Sequence, residues 1–286
     1  MDMELLKTFL EVKNTRHFGR AAENLYLTQA AVSARIKQLE GTLGTALFTR
    51  YRNNLQLTAS GNRLIEHAET MLISWERAKA DLSLKTKQNQ IIALGTTSGL
   101  WDLLLKDGLN EIHKKLPNIA LRAESHGQDI LVRRLMERTL DLAFVYEPAK
   151  ITELTSYNIA QSELVLVSTV KNQDLNAAVN MSHVSVDWGT AFNINYSQFY
   201  KDVNPPVLYT TLARIALGFI LFHGGSAYLP LRMINKYLNT SLFRVEEAPV
   251  FNRPIFACYH KENRYTDLID QILSIVELTG KNNHLP

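Results

Sequence analysis

The stretch from Thr28 to Lys37, TQAAVSARIK, gathers amide, hydroxyl and methyl groups on what its spacing predicts is a helix. At about 100° per residue, Val32, Ile36, Leu39 and Leu43 share one apolar stripe, while Gln29, Ala30, Ser33, Ala34 and Lys37 gather on another side. Such a lean polar face suits the reading of nucleobase edges. A glutamine amide pairs with adenine, a serine hydroxyl with several bases, and an alanine methyl touches the thymine methyl, whereas bulky charges would hold the helix out of a groove. Taken alone, the same letters also fit an alanine-rich surface helix of an enzyme. Downstream, Arg50, Arg52 and Asn53 fall where contacts to phosphate or to a minor groove would supply salt-dependent affinity. Arg35 lies on a flank of the wheel, where a phosphate or a neighbouring helix is the expected partner.

No arrangement for bond-making chemistry stands out. The sequence holds no glycine-rich phosphate loop, no paired histidine or cysteine metal spacing and no G-x-S-x-G nucleophile elbow. Neither a metal nor another cofactor is expected. The lone Cys258 and His260 point to one face of an expected strand, which reads as a buried structural thiol. His113 and His126 are scattered, and nothing separates a ligand role from a surface role.

The elements that must hold the polar face follow from the same periodicity. Glu4 to Val12 carries Leu5, Leu6, Phe9, Leu10 and Val12 at helical spacing. A second helix runs from Gly19 to Leu25, where Ala21 and Ala22 permit close approach. Thr28 then caps the third helix, and Gly41 or Gly44 ends it. Two short extended runs, Leu47 to Arg50 and Leu55 to Leu57, make a basic hairpin. Residues 1–64 hold nine Lys or Arg against five Asp or Glu, a surplus of +4 in a chain of net charge +3. That asymmetry favours a polyanionic partner.

From FLEVKNTRHFGRAAENLYLTQAAVSARIKQLEGTLGTALFTRYRNNLQLTASGNRLIEHA, the chain resembles the winged helix-turn-helix of LysR-type transcriptional regulators. The resemblance rests on Phe18, Ala21-Ala22, Leu25, Thr28-Gln29, Ala31-Val32-Ser33, Ile36, Leu39-Glu40, Leu43-Gly44, Leu47-Phe48, Arg50, Leu57-Thr58 and Gly61. Ala30 stands where the family usually has proline, and Ala34 where many members have a longer polar residue, so another member's DNA preference does not transfer. The wording of Leu5 to Leu10 and Thr15 to Leu27 is similar to the subgroup of the flagellar master-operon regulator. The resemblance implies sequence-specific binding of double-stranded DNA at an inverted repeat, with RNA polymerase as a possible further partner.

Beyond the wing, Leu57, Gly61, Leu64, Ala68, Met71, Trp75, Ala78 and Leu82 alternate steps of four and three. This heptad seam reads either as one helix packed on its own domain or as a dimer contact. Large Met71 and Trp75, with the twofold partner an inverted repeat needs, favour a homodimer through Leu64, Ala68, Met71, Trp75, Ala78 and Leu82. Tetramers are implied by the resemblance alone. The polar run Lys85 to Gln90 reads as a hinge.

From Ile91 the pattern becomes strand and helix alternation. Strands are expected at 91–95, 119–123 and 140–145, with helices at 100–115 and 129–139. A crossing strand at 163–167 leads to a second lobe with strands at 184–186, 207–209 and 227–229 and a helix at 212–222. A return strand at 255–260 and a helix at 268–278 close the first lobe. Two lobes joined by two crossings resemble the periplasmic-binding-protein-like effector domain of the LysR family, and GFILFHGGSAYLPLRMI matches its second-lobe pattern. Strand ends and helix N-termini in such a cleft bind small molecules. The candidate effector contacts are Thr97, Ser98, Ser125, His126, Tyr146, Thr210 and Thr211, with about half the hydroxyls expected to serve only as caps. Trp188 is expected to fill core.

The fold expected is an α+β multidomain chain. Residues 1–58 form a winged helix-turn-helix, 59–90 a linker helix and hinge, and 91–286 a two-lobed α/β domain, lobe I being 91–161 with 262–286 and lobe II 162–261. Acidic residues stand where a secretory signal would be basic, and no apolar run is long enough to span a bilayer, so a cytoplasmic, non-enzymatic protein is expected. The competing class is a solute-binding protein or α/β enzyme with an incidental helical N-terminus.

Overall fold

The computed structural model describes residues 2–51, 54–83, 90–201 and 203–282. The chain divides into two compact units, residues 1–86 and 87–286. In the first, α1 (Met3–Thr15) is capped by the Asp2 carboxylate, which accepts from the Glu4 N–H. Helix α2 (Phe18–Asn24) follows, and α3 (Gln29–Leu43) begins where Thr28 Oγ1 accepts from the Ala31 N–H. Gly44, at φ +67°, ends α3 in the left-handed region that glycine enters without a Cβ penalty. Gly41 lies inside the helix.

The apolar stripe of α3 is fully used. Val32, Ile36 and Leu39 are buried against Leu5, Leu6 and Phe9 of α1 and Ala21 and Ala22 of α2. Each such side chain contributes roughly 1.5–3 kcal/mol of transfer free energy, which fixes the rotation of α3 about its axis. Leu43, expected in that stripe, is instead exposed. It is the last residue of α3, directly before the Gly44 cap.

Strands β1 (Phe48–Tyr51) and β2 (Asn54–Leu57) pair antiparallel, with Phe48 opposite Leu57. The Glu40 carboxylate of α3 accepts the N–H groups of Leu47 and Phe48, tying that helix to the hairpin. Thr58 Oγ1 donates to the Ala46 carbonyl and accepts from the Gly61 N–H at the start of α4 (Ala59–Ser83). A methyl on Gly61 would fall 2.2 Å from the Leu47 carbonyl oxygen, so only glycine lets α4 lie this close to the wing.

The second unit is built on one continuous nine-stranded sheet among the described residues. Lobe I contributes β3 (Gln90–Thr96), parallel to both β4 (Ile119–Ser125) and β5 (Leu142–Val145). After β3, α5 (Ser98–Leu100) runs into a π-helical turn (Trp101–Leu105) and then α6 (Lys106–Lys115); α7 (Gln128–Met136) links β4 to β5. The long β6 (Leu154–Ser168) carries the chain to lobe II. There α8 (Leu175–Asn180), β7 (His183–Val186), α9 (Thr190–Phe199), β8 (Leu208–Thr210), α10 (Ala213–His223), β9 (Ser226–Pro230) and α11 (Leu231–Ile234) follow. A short β10 (Phe243–Arg244) pairs β6, then β11 (Phe251–His260) returns and α12 (Thr266–Asn282) packs on α6.

Strand order is β4-β3-β5-β11-β6-β9-β7-β8, with β6 and β11 antiparallel along their whole shared length and bulged between Ile255 and Phe256. Each lobe is a small parallel sheet, and the two crossing strands are the seam between them. One core fills lobe II around Val165, Val184, Ile220 and Tyr228; another fills lobe I between its sheet and α6 and α12.

Several boundaries move. The crossing strand and the return strand are longer than expected, because both continue through two lobes rather than one. Gln90, read as part of a hinge, opens β3; residues 85–89 of that run lie outside the described residues. Trp188 is buried, its indole N–H donating to the Tyr228 carbonyl, as core filling requires. Cys258 is buried with its Sγ 3.2 Å from Ser156 Oγ, and His260, also buried, accepts from the Glu262 N–H through Nδ1.

Gly61→Ala is expected to destabilise the N-terminal unit by about 1–3 kcal/mol through overpacking against Leu47. Urea unfolding should show a lower midpoint for that unit's transition and an unchanged one for residues 87–286.

Candidate nucleic-acid interface and interlobe cleft

Burial of the α3 stripe leaves Gln29, Ala30, Ala34 and Lys37 exposed and Ser33 half-buried beside them. Thr28, at the N-cap, is exposed as well. Arg35 turns back: its guanidinium lies 3.5 Å from Glu4 Oε2 and donates to Thr8 Oγ1 of α1. Of its two expected partners, the neighbouring helix is the one observed. The tightness of the α2–α3 turn comes from Tyr26, held at φ +56° with its side chain 96% exposed. Nothing in the residue's type announced that position, since left-handed backbone is uncommon for an aromatic residue. Arg50 belongs to β1, whereas Arg52 and Asn53 at the wing tip lie outside the described residues.

The heptad seam on α4 splits in two. Ala68 is fully buried in the core of its own unit, and Leu64 packs half-buried beside it. They hold α4 to the helix-turn-helix, and Ala68, fully buried there, leaves no surface for the dimer contact expected of it. One turn further, the seam emerges: Met71 and Trp75 are exposed, and Leu82 is 88% exposed. Ala78 lies exposed between them.

In the second unit, the strand ends of the two lobes meet over the crossing strands. Tyr146, just beyond β5, lies edge-on to Trp188 of lobe II at 6.4 Å between ring centroids. The Arg253 guanidinium of β11 sits 4.7 Å above the Tyr146 ring. Gly189, at φ +88°, leaves room for that guanidinium, since a Cβ there would come 3.2 Å from it and 3.7 Å from Glu147 Oε1. Burial pushes the Tyr146 hydroxyl up and the Arg253 guanidinium down from their usual ranges. The Tyr146 hydroxyl, Thr97 Oγ1 and Arg253 Nε are buried without a hydrogen-bond partner, an arrangement that leaves polar atoms for a guest.

The remaining expected contacts are dispersed. Thr210 Oγ1 accepts from the Leu212 N–H and so supports the turn that leads into α10. Ser125 and Thr211 are exposed at strand ends, and His126, just beyond β4, bonds to Glu124 of that strand. The side chain of Ser98 lies outside the described residues. Arg253 was missed because its strand was expected to begin at Ile255. Its position in the alternation Phe251, Arg253, Ile255, which places a charge inward, was the available signal.

Residues 3–62 match the family of bacterial regulatory helix-turn-helix proteins of the lysR type, and residues 86–277 match the LysR substrate binding domain. The chain belongs to the LysR family. Its LysR-type relatives include the HTH-type transcriptional regulator HdfR of Yersinia enterocolitica, 38% identical over 282 residues, covering 96% of this chain and 95% of that protein. The HdfR of Yersinia pestis strain Pestoides F is 37% identical over 283 residues, with the same coverage. Among solved LysR structures, full-length CbnR complexed with its target DNA superposes with a TM-score of 0.71 at 18% identity, covering 99% of this chain and 100% of that one. Vibrio fischeri DarR in complex with DNA gives 0.59 at 20% identity, covering 96% and 98%. These likenesses show the fold, and the two matched segments make this a DNA-binding LysR-type transcriptional regulator rather than a solute-binding protein or enzyme with an incidental N-terminus. Among the described residues, no helix is long and apolar enough to cross a membrane, and no group of three or more His, Cys, Asp or Glu is placed to hold a metal.

Arg35→Ala is expected to cost about 0–1 kcal/mol in unfolding free energy, the range of a partly exposed ion pair. The ratio of its affinities for cognate and scrambled duplex, measured by fluorescence anisotropy, should equal that of the parent protein.

Proposed function

We propose that this LysR-type regulator reads an inverted-repeat promoter site as a homodimer, through Thr28, Gln29, Ala30, Ser33, Ala34 and Lys37 of α3, with Arg50, Arg52 and Asn53 gripping the backbone. The observation that carries the reading is the exposed face of α3. Its side chains at Gln29, Ala30 and Ala34 are short enough to let the helix approach base edges, while Val32, Ile36 and Leu39 are locked beneath. Lys37 adds a charge for phosphate. Two such helices require a twofold arrangement, and the exposed Met71, Trp75, Ala78 and Leu82 of α4 offer the apolar surface for it. The same reading extends to further association into a tetramer, contact with RNA polymerase and a cytoplasmic location, as the family resemblance implies. The subgroup resemblance makes a flagellar master operon the first promoter to test.

The interlobe cleft serves as a sensor in this reading. A small molecule that prefers one arrangement of the lobes shifts its population and, through the oligomer, the spacing and bending of bound DNA. Thr97 and Tyr146 carry unpartnered hydroxyls towards that role, while Ser98 follows β3, Ser125 and His126 stand at the end of β4, and Thr211 follows β8 of the other lobe.

Filter-binding titrations over a range of salt test the reading. Gln29→Ala and Ser33→Ala should each lose roughly 1–3 kcal/mol of preference for the cognate site. Arg52→Ala should weaken all sequences alike and flatten the salt slope by about one. Equal loss on every duplex for all three variants would contradict this division of labour. For the seam, Trp75→Glu should sediment as a monomer, and a persistent dimer would move the interface elsewhere.

A further inference from the structure

A cavity of about 170 Å³ lies beside the crossing strands, away from the seven residues expected to contact an effector. Its apolar wall is Leu103 and Leu104 from lobe I, Ala160 and Ile255 from the crossing strands, and Leu231 from lobe II. Leu103 and Leu104 stand on the π-helical turn Trp101–Leu105, a distortion that costs helix hydrogen bonding and recurs at functional sites. The other half of the lining is polar: Gln161, Ser162, Glu163, Arg232 and Asn235. Ser162, only 5% exposed, has a buried Oγ with no hydrogen-bond partner. It pairs with Arg253 across β6 and β11, as Ala160 pairs with Ile255, so the cavity opens on the same face of the crossing strands as Arg253.

One lining residue joins the two lobes through an ion pair. Arg232 of α11 lines the cavity and donates to Asp107 of α6, Nη2 to Oδ2, at 3.4 Å. Burial draws the guanidinium down from its usual range, whereas the Asp107 side chain is 61% exposed. The bond is long and its anion is well solvated. A carboxylate presented from inside the cavity could take the guanidinium in a better-shielded geometry. Glu163, the other charge on the lining, is exposed at the edge, where water screens it.

We propose that this cavity is a binding site for a small monocarboxylate with an unbranched apolar tail, whose carboxylate displaces Asp107 from Arg232 while the tail lies along Leu103, Leu104, Leu231 and Ile255. By size alone, a cavity of about 150 Å³ accepts a molecule such as benzene, so the volume suits a tail of roughly five or six carbons beside the polar half of the lining. Ser162 Oγ gains a partner on the guest, and the contact joining the two lobes at Asp107 is released. The site thereby biases the lobe arrangement on which the sensor reading rests.

Isothermal titration of the full-length protein with sodium hexanoate, in the absence of DNA, tests it directly. Hexanoate is expected to bind saturably at roughly millimolar concentration, with acetate at equal ionic strength giving no saturable heat and hexan-1-ol binding more weakly. Arg232→Gln should weaken hexanoate by roughly tenfold or more, the loss of one charged hydrogen-bonding partner. Asp107→Asn should tighten it by removing the competitor, a gain that mere damage to the fold would not produce. In protein labelled at leucine methyls, the Leu103, Leu104 and Leu231 signals should move with occupancy. Absence of saturable binding in both the parent and Asp107→Asn, equal affinity for acetate, or shifts confined to other leucines would overturn the proposal. Because DNA is absent from the titration, such a failure alongside normal salt-dependent DNA binding would leave the DNA-reading function standing.

Discussion

The N-terminal unit depends on how three aliphatic side chains fix the rotation of one helix. With Val32, Ile36 and Leu39 buried, turning α3 by even one residue would drive Ser33 or Lys37 into apolar surroundings and strip the core of a branched side chain. The cost of an unpaired buried polar group makes that alternative uncompetitive. The outward face is therefore set by the inward one. Glu40 extends the constraint to the wing, because its carboxylate holds the N–H groups of Leu47 and Phe48 just where β1 begins.

The second unit answers a different mechanical demand. Two parallel half-sheets share a pair of antiparallel strands, so each lobe keeps its own core while a change in the twist of β6 and β11 alters the angle between them. Among the described residues, groups that span the gap include Tyr146 against Trp188, Arg253 beside Gly189, and Arg232 with Asp107. A handful of polar and aromatic contacts is easier to rearrange than a close-packed core.

Much of this was legible in the letters because local chemistry and long-range packing agree. Thr28 and Gly44 sit at the ends of α3 with the capping geometry their types favour, and the alternation of apolar runs marked the lobe strands. What escaped has physical reasons. Heptad spacing cannot distinguish a contact with one's own domain from a contact with a partner, so Leu64 and Ala68 were grouped with Trp75 although only the latter is exposed. Helices α8 and α9 were not anticipated: the first has only six residues, and the second, TAFNINYSQF, is rich in asparagine and aromatic residues that favour no helix. A π-helical turn leaves no compositional mark at all. In the cleft, Tyr146 was readable as a strand-end residue, but Thr210 serves its own turn, and Arg253 belongs to a strand whose first half had no recognised start.

Cys258 carries a practical consequence. The only thiol in the chain is buried on β11 and faces Ser156, so bulky maleimide dyes would find nothing to alkylate on the folded protein. A single cysteine introduced on either lobe would then accept a fluorophore at one defined place without removal of the native residue, and opening or closing of the lobes becomes measurable as light.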